Sequence, residues 1–166
     1  MLKEALDLSP LPFSALASAR PMGYNMPRKN EEKTMAELKI GTEYTVEAEV
    51  TDCMSARKMG SGEASVLSTP SLLALMEQAA WKSVAPMLEE GQSTVGTFAA
   101  LKHLAATPLG MRVRVVAKLT AVDRRKLSFF IEAFDAAEKV AEAEHERFII
   151  DSAKFTAKVE SKKQCE

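Results

Sequence analysis

Between residues 43 and 150, apolar and polar side chains alternate along five separate stretches of the chain. These stretches cover 43–50, 93–106, 111–122, 126–136 and 139–150. The clearest is MRVRVVAKLTAV at 111–122, where the odd positions from Met111 to Leu119 are all apolar and most even positions carry Arg, Lys or Thr. Because successive side chains of a strand point to opposite faces, this pattern predicts half-buried β-strands.

One segment, STPSLLALMEQAAWKSVAPML at 68–88, has the repeat of an amphipathic helix instead. Ser68 or Thr69 can cap its first turn, Pro70 suits that turn, and Pro86 ends or kinks the helix. Six apolar residues share one face of this helix: Leu72, Leu73, Met76, Ala79, Ala80 and Val84. The segment therefore predicts one long helix with a face suited to packing on a sheet.

Short connections join the last four strands, and TPLG at 107–110 is typical of a turn. Strands that follow one another through short turns pair antiparallel. An antiparallel sheet with one long helix buries one face against that helix, which gives an α+β domain of two layers. We therefore expect the hotdog fold, an antiparallel sheet of about five strands wrapped around one central helix.

The flanking sequence and the composition narrow the picture further. Residues 1–36 show no sustained repeat and predict a flexible leader, 161–166 predict a polar tail, and the domain covers 37–160. Residues 51–67 predict a loop or lid.

The net charge of −1 gives no general attraction to nucleic acid, and no apolar run reaches the roughly 18 residues of a membrane span. Two cysteines without a CxxC pair favour a cytoplasmic protein without a structural metal.

Glu77 is the unusual residue of the helix, because it lies in an otherwise apolar stretch beside Trp81, the chain's one tryptophan. An ionised carboxylate that leaves water without a partner costs several kcal/mol or shifts its pKa. Glu77 falls at the border of the apolar face. Either its carboxylate extends into water, or the protein uses a carboxylate in a dry place for chemistry.

Four segments resemble the fluoroacetyl-CoA thioesterase type of hotdog protein. They are LMEQAAWKSVAPMLEEGQSTVGT, HLAATPLGMRVRV, RRKLSFFIEAFD and HERFIIDSAKFTAKV, and their spacing also matches. The resemblance implies a catalytic set of Thr69, Glu77 and His103, with Gly96 and Arg147 at the substrate. It also implies a homodimer with active sites between subunits, and no cofactor, since coenzyme A is part of the substrate.

The positions of these residues can be read independently of the resemblance. His103 alternates with a small-residue face of its strand, where a lone histidine is often a satisfied core residue. Gly96 has the opposite parity, so a role at the same site requires a bulge or a backbone contact. Arg147 points inward and needs a partner, either a structural acid or a ligand. Thr69 lies about 12 Å along the helix from Glu77 and cannot contact it.

The resemblance implies hydrolysis of a thioester. Either Glu77 attacks the carbonyl, or Glu77 or His103 deprotonates an attacking water. The fluoroacetyl-CoA enzyme has an aromatic lid before the helix, whereas this lid region has no aromatic residue and carries Glu63 at the gating position. We therefore expect a short- or medium-chain acyl-CoA as substrate.

Two alternatives to a thioesterase remain from the sequence: a non-catalytic acyl-CoA-binding domain and a hotdog hydratase. The basic cluster DRRKL at 123–127 suits either the phosphates of coenzyme A or a solvated turn.

Overall fold

The computed structural model describes residues 38–164, so the predicted leader at 1–36 lies outside the described residues. Five strands and three α-helices make up this part of the chain. The strands are β1 (Glu43–Glu49), β2 (Gln92–His103), β3 (Arg112–Asp123), β4 (Lys126–Phe134) and β5 (Lys139–Asp151). The helices are α1 (Ala56–Met59), α2 (Thr69–Val84) and α3 (Ser152–Glu160), with 3-10 turns at Asp52–Met54, Ala85–Met87 and Ser161–Gln164.

The strands form one antiparallel sheet in the order β1-β3-β4-β5-β2. Consecutive strands β3, β4 and β5 are neighbours, as expected for strands joined by short turns. The same expectation is wrong for β2, which does not pair with β3. The strand β2 follows the helix and pairs with β5, which leaves β1 and β2 at the two edges. The predicted α+β architecture is confirmed, and the sheet curves around α2 as the hotdog fold requires.

The helix α2 packs its apolar face on the inner face of the sheet. Ser68 caps it by accepting a hydrogen bond from Ser71 N, and Pro70 lies in the first turn, as predicted. Seven of its residues are buried: Ser71, Leu72, Met76, Ala79, Ala80, Ser83 and Val84. Leu73, predicted on this face, is only half-buried, because the buried face is rotated toward the two serines.

The strand β2 contains a β-bulge between Gly96 and Phe98. Before the bulge, Gly96 pairs with Arg147; after it, Ala99 pairs with His145 and His103 with Ala141. Every one of these β5 residues is buried on the inner face of the sheet. In a regular strand, two residues an odd number of positions apart face opposite sides of the sheet. The one extra residue in the bulge reverses this alternation, so Gly96 and His103 both lie on the inner face.

Two segments carry more helix than the sequence pattern predicts. Residues 152–160 form α3, capped by the side chain of Asp151, which accepts from Lys154 N. The predicted loop or lid at 51–67 contains a 3-10 turn and the short helix α1. Within residues 38–164, the structure contains no helix of the length and apolar character needed to cross a membrane.

The register of β4 yields a direct test, because adjacent residues face opposite sides. Ile131 is fully buried in the core, whereas Phe130 lies on the outer face and is 39% exposed. We expect Ile131→Ala to lower the free energy of unfolding by about 2–5 kcal/mol through lost burial and a residual cavity. The control Phe130→Ala should cost less than about 1 kcal/mol. Urea unfolding checks both, and equal costs would contradict this register.

Candidate functional site

Thr69 and His103 form the first part of the candidate site. Because Ser68 takes the capping position, the side chain of Thr69 does not serve the helix end. Its hydroxyl oxygen lies 3.0 Å from Nδ1 of His103, the last residue of β2. The sequence predicted that Thr69 lies too far along the helix to contact Glu77. In the structure Thr69 contacts His103 instead.

The second nitrogen of His103 has an unusual environment. Its Nε2 atom is buried and has no hydrogen-bond partner among residues 38–164. Burial lowers the pKa of His103 below the ordinary value of 6.5, and the backbone of Ala105 partly opposes this shift. The imidazole is therefore neutral at pH 7, with Nδ1 held by Thr69 and Nε2 buried without a partner among these residues.

A cavity of about 460 Å³ opens beside this pair. Half of the residues that line it have small side chains: Ala56, Ser61, Ser68, Ala105 and Ala106. The other lining residues are Thr69, His103, Val66, Leu67 and Leu104. No aromatic residue is among these lining residues. Glu63, at the expected gating position, is exposed and does not line the cavity, and Arg57 binds its carbonyl oxygen at 3.2 Å.

Glu77 and Gly96 form the second part of the site. A side-chain carbon built on Gly96 would lie 3.1 Å from Oε1 of Glu77 and 3.3 Å from Cε1 of His145. The glycine thus leaves room for a carboxylate and an imidazole against the backbone. Glu77 is half-buried, and no hydrogen bond or ion pair within residues 38–164 engages its carboxylate.

Arg147 lies beside these groups and is only 7% exposed. Its Nε donates to Thr94 Oγ1 at 2.8 Å, its Nη2 donates to Thr94 O at 2.9 Å, and its Nη1 lies 3.3 Å from His145 Nε2. Burial lowers the pKa of Arg147, whereas the negative charge of Glu77 raises it. Among the described residues, no carboxylate forms an ion pair with this guanidinium. A structural ion pair, one of the two expected roles, is therefore absent from this part of the chain.

His145 is a component of this cluster that the sequence pattern did not single out. It is 2% exposed and lies between Gly96 and Arg147. Two signals could have identified it. The chain has only two histidines, and His145 shares strand parity with the inward-facing Arg147.

The two parts of the site do not meet within one chain. Thr69 and Glu77 lie about 12 Å apart along α2, at 1.5 Å per residue. No hydrogen bond or ion pair joins Glu77 to His103 within residues 38–164. One part supplies a free carboxylate next to backbone, and the other supplies a neutral histidine beside a cavity. Among the described residues, no cluster of three His, Cys, Asp or Glu side chains is arranged to hold a metal ion.

A curved antiparallel sheet around a helix that carries a carboxylate, with a histidine on the next strand, defines a hotdog protein of the thioesterase type. The family model for fluoroacetyl-CoA-specific thioesterases matches residues 50–153. The chain belongs to this family and is a thioester hydrolase.

Individual relatives agree with this assignment. A fluoroacetyl-CoA thioesterase from Streptantibioticus cattleyicolor is 40% identical over 97 residues, which cover 58% of this chain and 70% of that protein. The solved structure of the fluoroacetyl-CoA thioesterase FlK has a TM-score of 0.73 and 32% identity, and the match covers 76% of this chain and 98% of FlK. A Thermus thermophilus thioesterase superfamily member has a TM-score of 0.73 and 28% identity, covering 80% and 100% of the two chains.

The two histidines provide a pH test. Burial lowers the pKa of both below 6.5, so the unfolded chain takes up protons first as the pH falls. The free energy of unfolding should therefore decrease as the pH drops from above 6.5 through the lower folded pKa values. Proton NMR of the two imidazole Cε1–H signals, with urea unfolding at each pH, checks this. Titration midpoints at or above 6.5 would contradict it.

Proposed function

We propose that this protein hydrolyses a short- or medium-chain acyl-CoA to the free acid and coenzyme A, with Glu77 and His103 at the active site. The observation that carries the proposal is the carboxylate of Glu77, which is half-buried against Gly96 without a partner among the described residues. A carboxylate that forms no structural contact at the border of the buried helix face is free to act as a base or a nucleophile.

The reaction needs a nucleophile, a place for negative charge and a proton for the leaving group. In one route Glu77 deprotonates a water, and the C–O bond from that water forms as the C–S bond breaks. In the other route Glu77 itself attacks and the C–S bond breaks to leave an acyl anhydride on Glu77, which a water then cleaves to release the free acid. His103 passes a proton to the departing thiolate, and its neutral state at pH 7 suits relay between water and sulfur. The backbone N–H of Gly96 is our candidate donor to the thioester oxygen, with no side chain to block its approach.

We further propose that one active site combines Glu77 of one subunit with Thr69 and His103 of a second copy. Support comes from the separation of the two parts of the site within a chain, because no hydrogen bond or ion pair joins Glu77 to His103 among residues 38–164. A two-fold axis near Ala100, with two β2 strands antiparallel, would bring Gly96 of one subunit toward the partner's His103. Such a contact is isologous and closes as a dimer.

The two edges of the sheet differ in a way that favours this contact. The edge strand β2 has 12 residues, and the exposed run from Gly96 to Ala100 is small or apolar apart from Thr97. The other edge, β1, has seven residues, three of which are glutamates. A long apolar edge invites pairing with another strand, whereas charged residues discourage it. A homodimer through β2 therefore uses the unprotected edge.

The size of the cavity supports the proposed substrate class. A volume of about 460 Å³ with small lining residues accommodates an acyl chain of several carbons or part of the pantetheine arm. The cavity lining has no aromatic side chain to select a very small acyl group. Release of free thiol from a panel of acyl-CoAs, from acetyl and fluoroacetyl to decanoyl, measures the preference.

Replacing Glu77 with Gln tests the chemistry. The amide keeps the shape but removes the charge, so hydrolysis should fall by about 10² or more. Acyl-CoA binding should survive, and stability should change by less than about 1 kcal/mol, because the lost attraction to Arg147 offsets the removal of a partly buried charge. The matched control is Glu90→Gln, at an exposed position, which should retain parent activity. Unchanged hydrolysis by Glu77→Gln would reduce the carboxylate to a helix-border residue and disprove its catalytic role. Absence of hydrolysis by the parent protein would instead favour a non-catalytic acyl-CoA-binding domain.

Mixing two inactive variants tests the shared site. If subunits exchange freely, Glu77→Gln and His103→Ala should together recover about a quarter of parent activity, since half the dimers are mixed and each has one intact site. The mixture should show a dimer in sedimentation. Each variant mixed with itself is the control. A stable monomer, or no recovery from mixed dimers verified by differential tagging, would contradict a site built from two chains.

A further inference from the structure

Both ring nitrogens of His145 are held by other groups. Nδ1 lies 2.7 Å from the carbonyl oxygen of Phe98, and Nε2 lies 3.3 Å from Nη1 of Arg147. A carbonyl only accepts and a guanidinium only donates, so Nδ1 carries the proton and Nε2 accepts. The contacts thus define the neutral Nδ1–H tautomer, although no acid–base step in the proposed reaction uses this imidazole.

Phe98 is the residue at which β2 resumes its pairing after the bulge. The bond from His145 therefore attaches the far side of the bulge to β5. We propose that His145 is a positioning residue: its Nδ1–H bond to Phe98 O fixes the bulge that presents Gly96 to Glu77. This inference rests on the proposed function for its kinetic consequence, but its geometric part can be tested independently.

The bulge matters because of what would otherwise face Glu77. If the bulge relaxed by one residue, Gly96 would rotate to the outer face and a neighbouring side chain, Val95 or Thr97, would turn inward. A carbon atom at this inner position would already lie 3.1 Å from Glu77 Oε1, so a larger side chain cannot fit without displacing the carboxylate. The hydrogen bond to Phe98 O thus protects both the backbone at Gly96 and the position of Glu77.

Protonation of His145 would work against this arrangement. A second ring N–H would point at the guanidinium of Arg147, and two like charges would share a buried space. Burial is the largest influence on the pKa of His145 and lowers it, and the positive charge of Arg147 lowers it further. The hydrogen bond to Phe98 and the charges of Glu77 and Glu146 raise the pKa only in part. The lowered pKa agrees with the tautomer that the two contacts define.

Two amide variants separate the two contacts of His145. In His145→Asn the amide nitrogen occupies roughly the place of Nδ1 and can still donate to Phe98 O. In His145→Gln the amide reaches roughly the place of Nε2 and can still accept from Arg147. The control Phe129→Leu alters packing beside the imidazole, whose ring centre is 6.3 Å from that of Phe129, without touching either bond.

We expect His145→Asn and Phe129→Leu to keep kcat within about threefold of the parent value. His145→Gln should lower kcat by about 10–100-fold and leave KM within about threefold, because a displaced catalytic group lowers the rate rather than the affinity. Equal kcat values for the Asn and Gln variants would overturn the proposal. A lowered kcat in His145→Asn together with a parent-like kcat in His145→Gln would also overturn the proposal, because the positioning role would then belong to the contact with Arg147.

NMR provides a readout that does not depend on activity, and its tautomer measurement uses the parent protein alone. Long-range ¹H–¹⁵N correlation spectra of the parent at pH 7 should show the Nδ1–H tautomer for His145. Cross-strand NOEs should show Gly96 opposite Arg147 in the parent and a changed register in His145→Gln. An Nε2–H tautomer, an imidazolium, or an unchanged register in His145→Gln would overturn the inference. A parent without thioesterase activity would refute the proposed function alone, and these spectra would still decide the role of His145.

Discussion

The β-bulge in β2 is the constraint on which the candidate site depends. Without it, a strand of regular alternation could not place both Gly96 and His103 on its inner face, since their positions differ by seven, an odd number. The bulge costs a break in the hydrogen-bonded ladder, and the chain offsets this locally. His145 binds the backbone just after the break, and Arg147 holds Thr94 just before it. Two inward side chains of β5 thus stabilise an irregularity in β2.

The same cluster concentrates charge where water is scarce. Arg147 is buried without an ion pair among the described residues, and Glu77 influences its pKa from a distance. Interactions between charges are stronger in such a place than in water, and unpaired groups there are costly. A fold under selection for stability alone would replace these residues with apolar ones. Their presence together in one buried cluster suits a site that handles negative charge.

The sequence predicted the sheet and the central helix because both rest on long, regular repeats. The alternation in β3 and the cap of α2 are local signals, and both are confirmed. The helix α3 was missed because its apolar residues Phe155 and Val159 are half-exposed and give only a weak periodic signal. Leu73 was placed too deep because a helical wheel cannot show how far the buried face is rotated toward small serines.

The candidate site was predictable only in part, and for a similar reason. The contact between Thr69 and His103, which joins α2 to β2, depends on tertiary geometry that no local pattern contains. Counting alternate positions assumes an unbroken strand, so it placed Gly96 and His103 on opposite faces. The sequence indicated that Gly96 needs either a bulge or a backbone contact, but no local pattern locates the bulge or identifies the histidine that binds beside it.

The unequal edges of the sheet also determine how far assembly can proceed. On the charged edge, Glu43 pairs with Lys118 at 3.0 Å and Glu47 approaches Arg112 at 3.9 Å, so each carboxylate is directed back across its own sheet. Another strand docking there would have to disturb these pairs and bring further acids together. The proposed self-pairing of two β2 strands would use the edge of the sheet that lacks this charge pattern. Polymerisation into an extended fibre is therefore blocked by the charge pattern of β1, while a closed pair of subunits remains permitted.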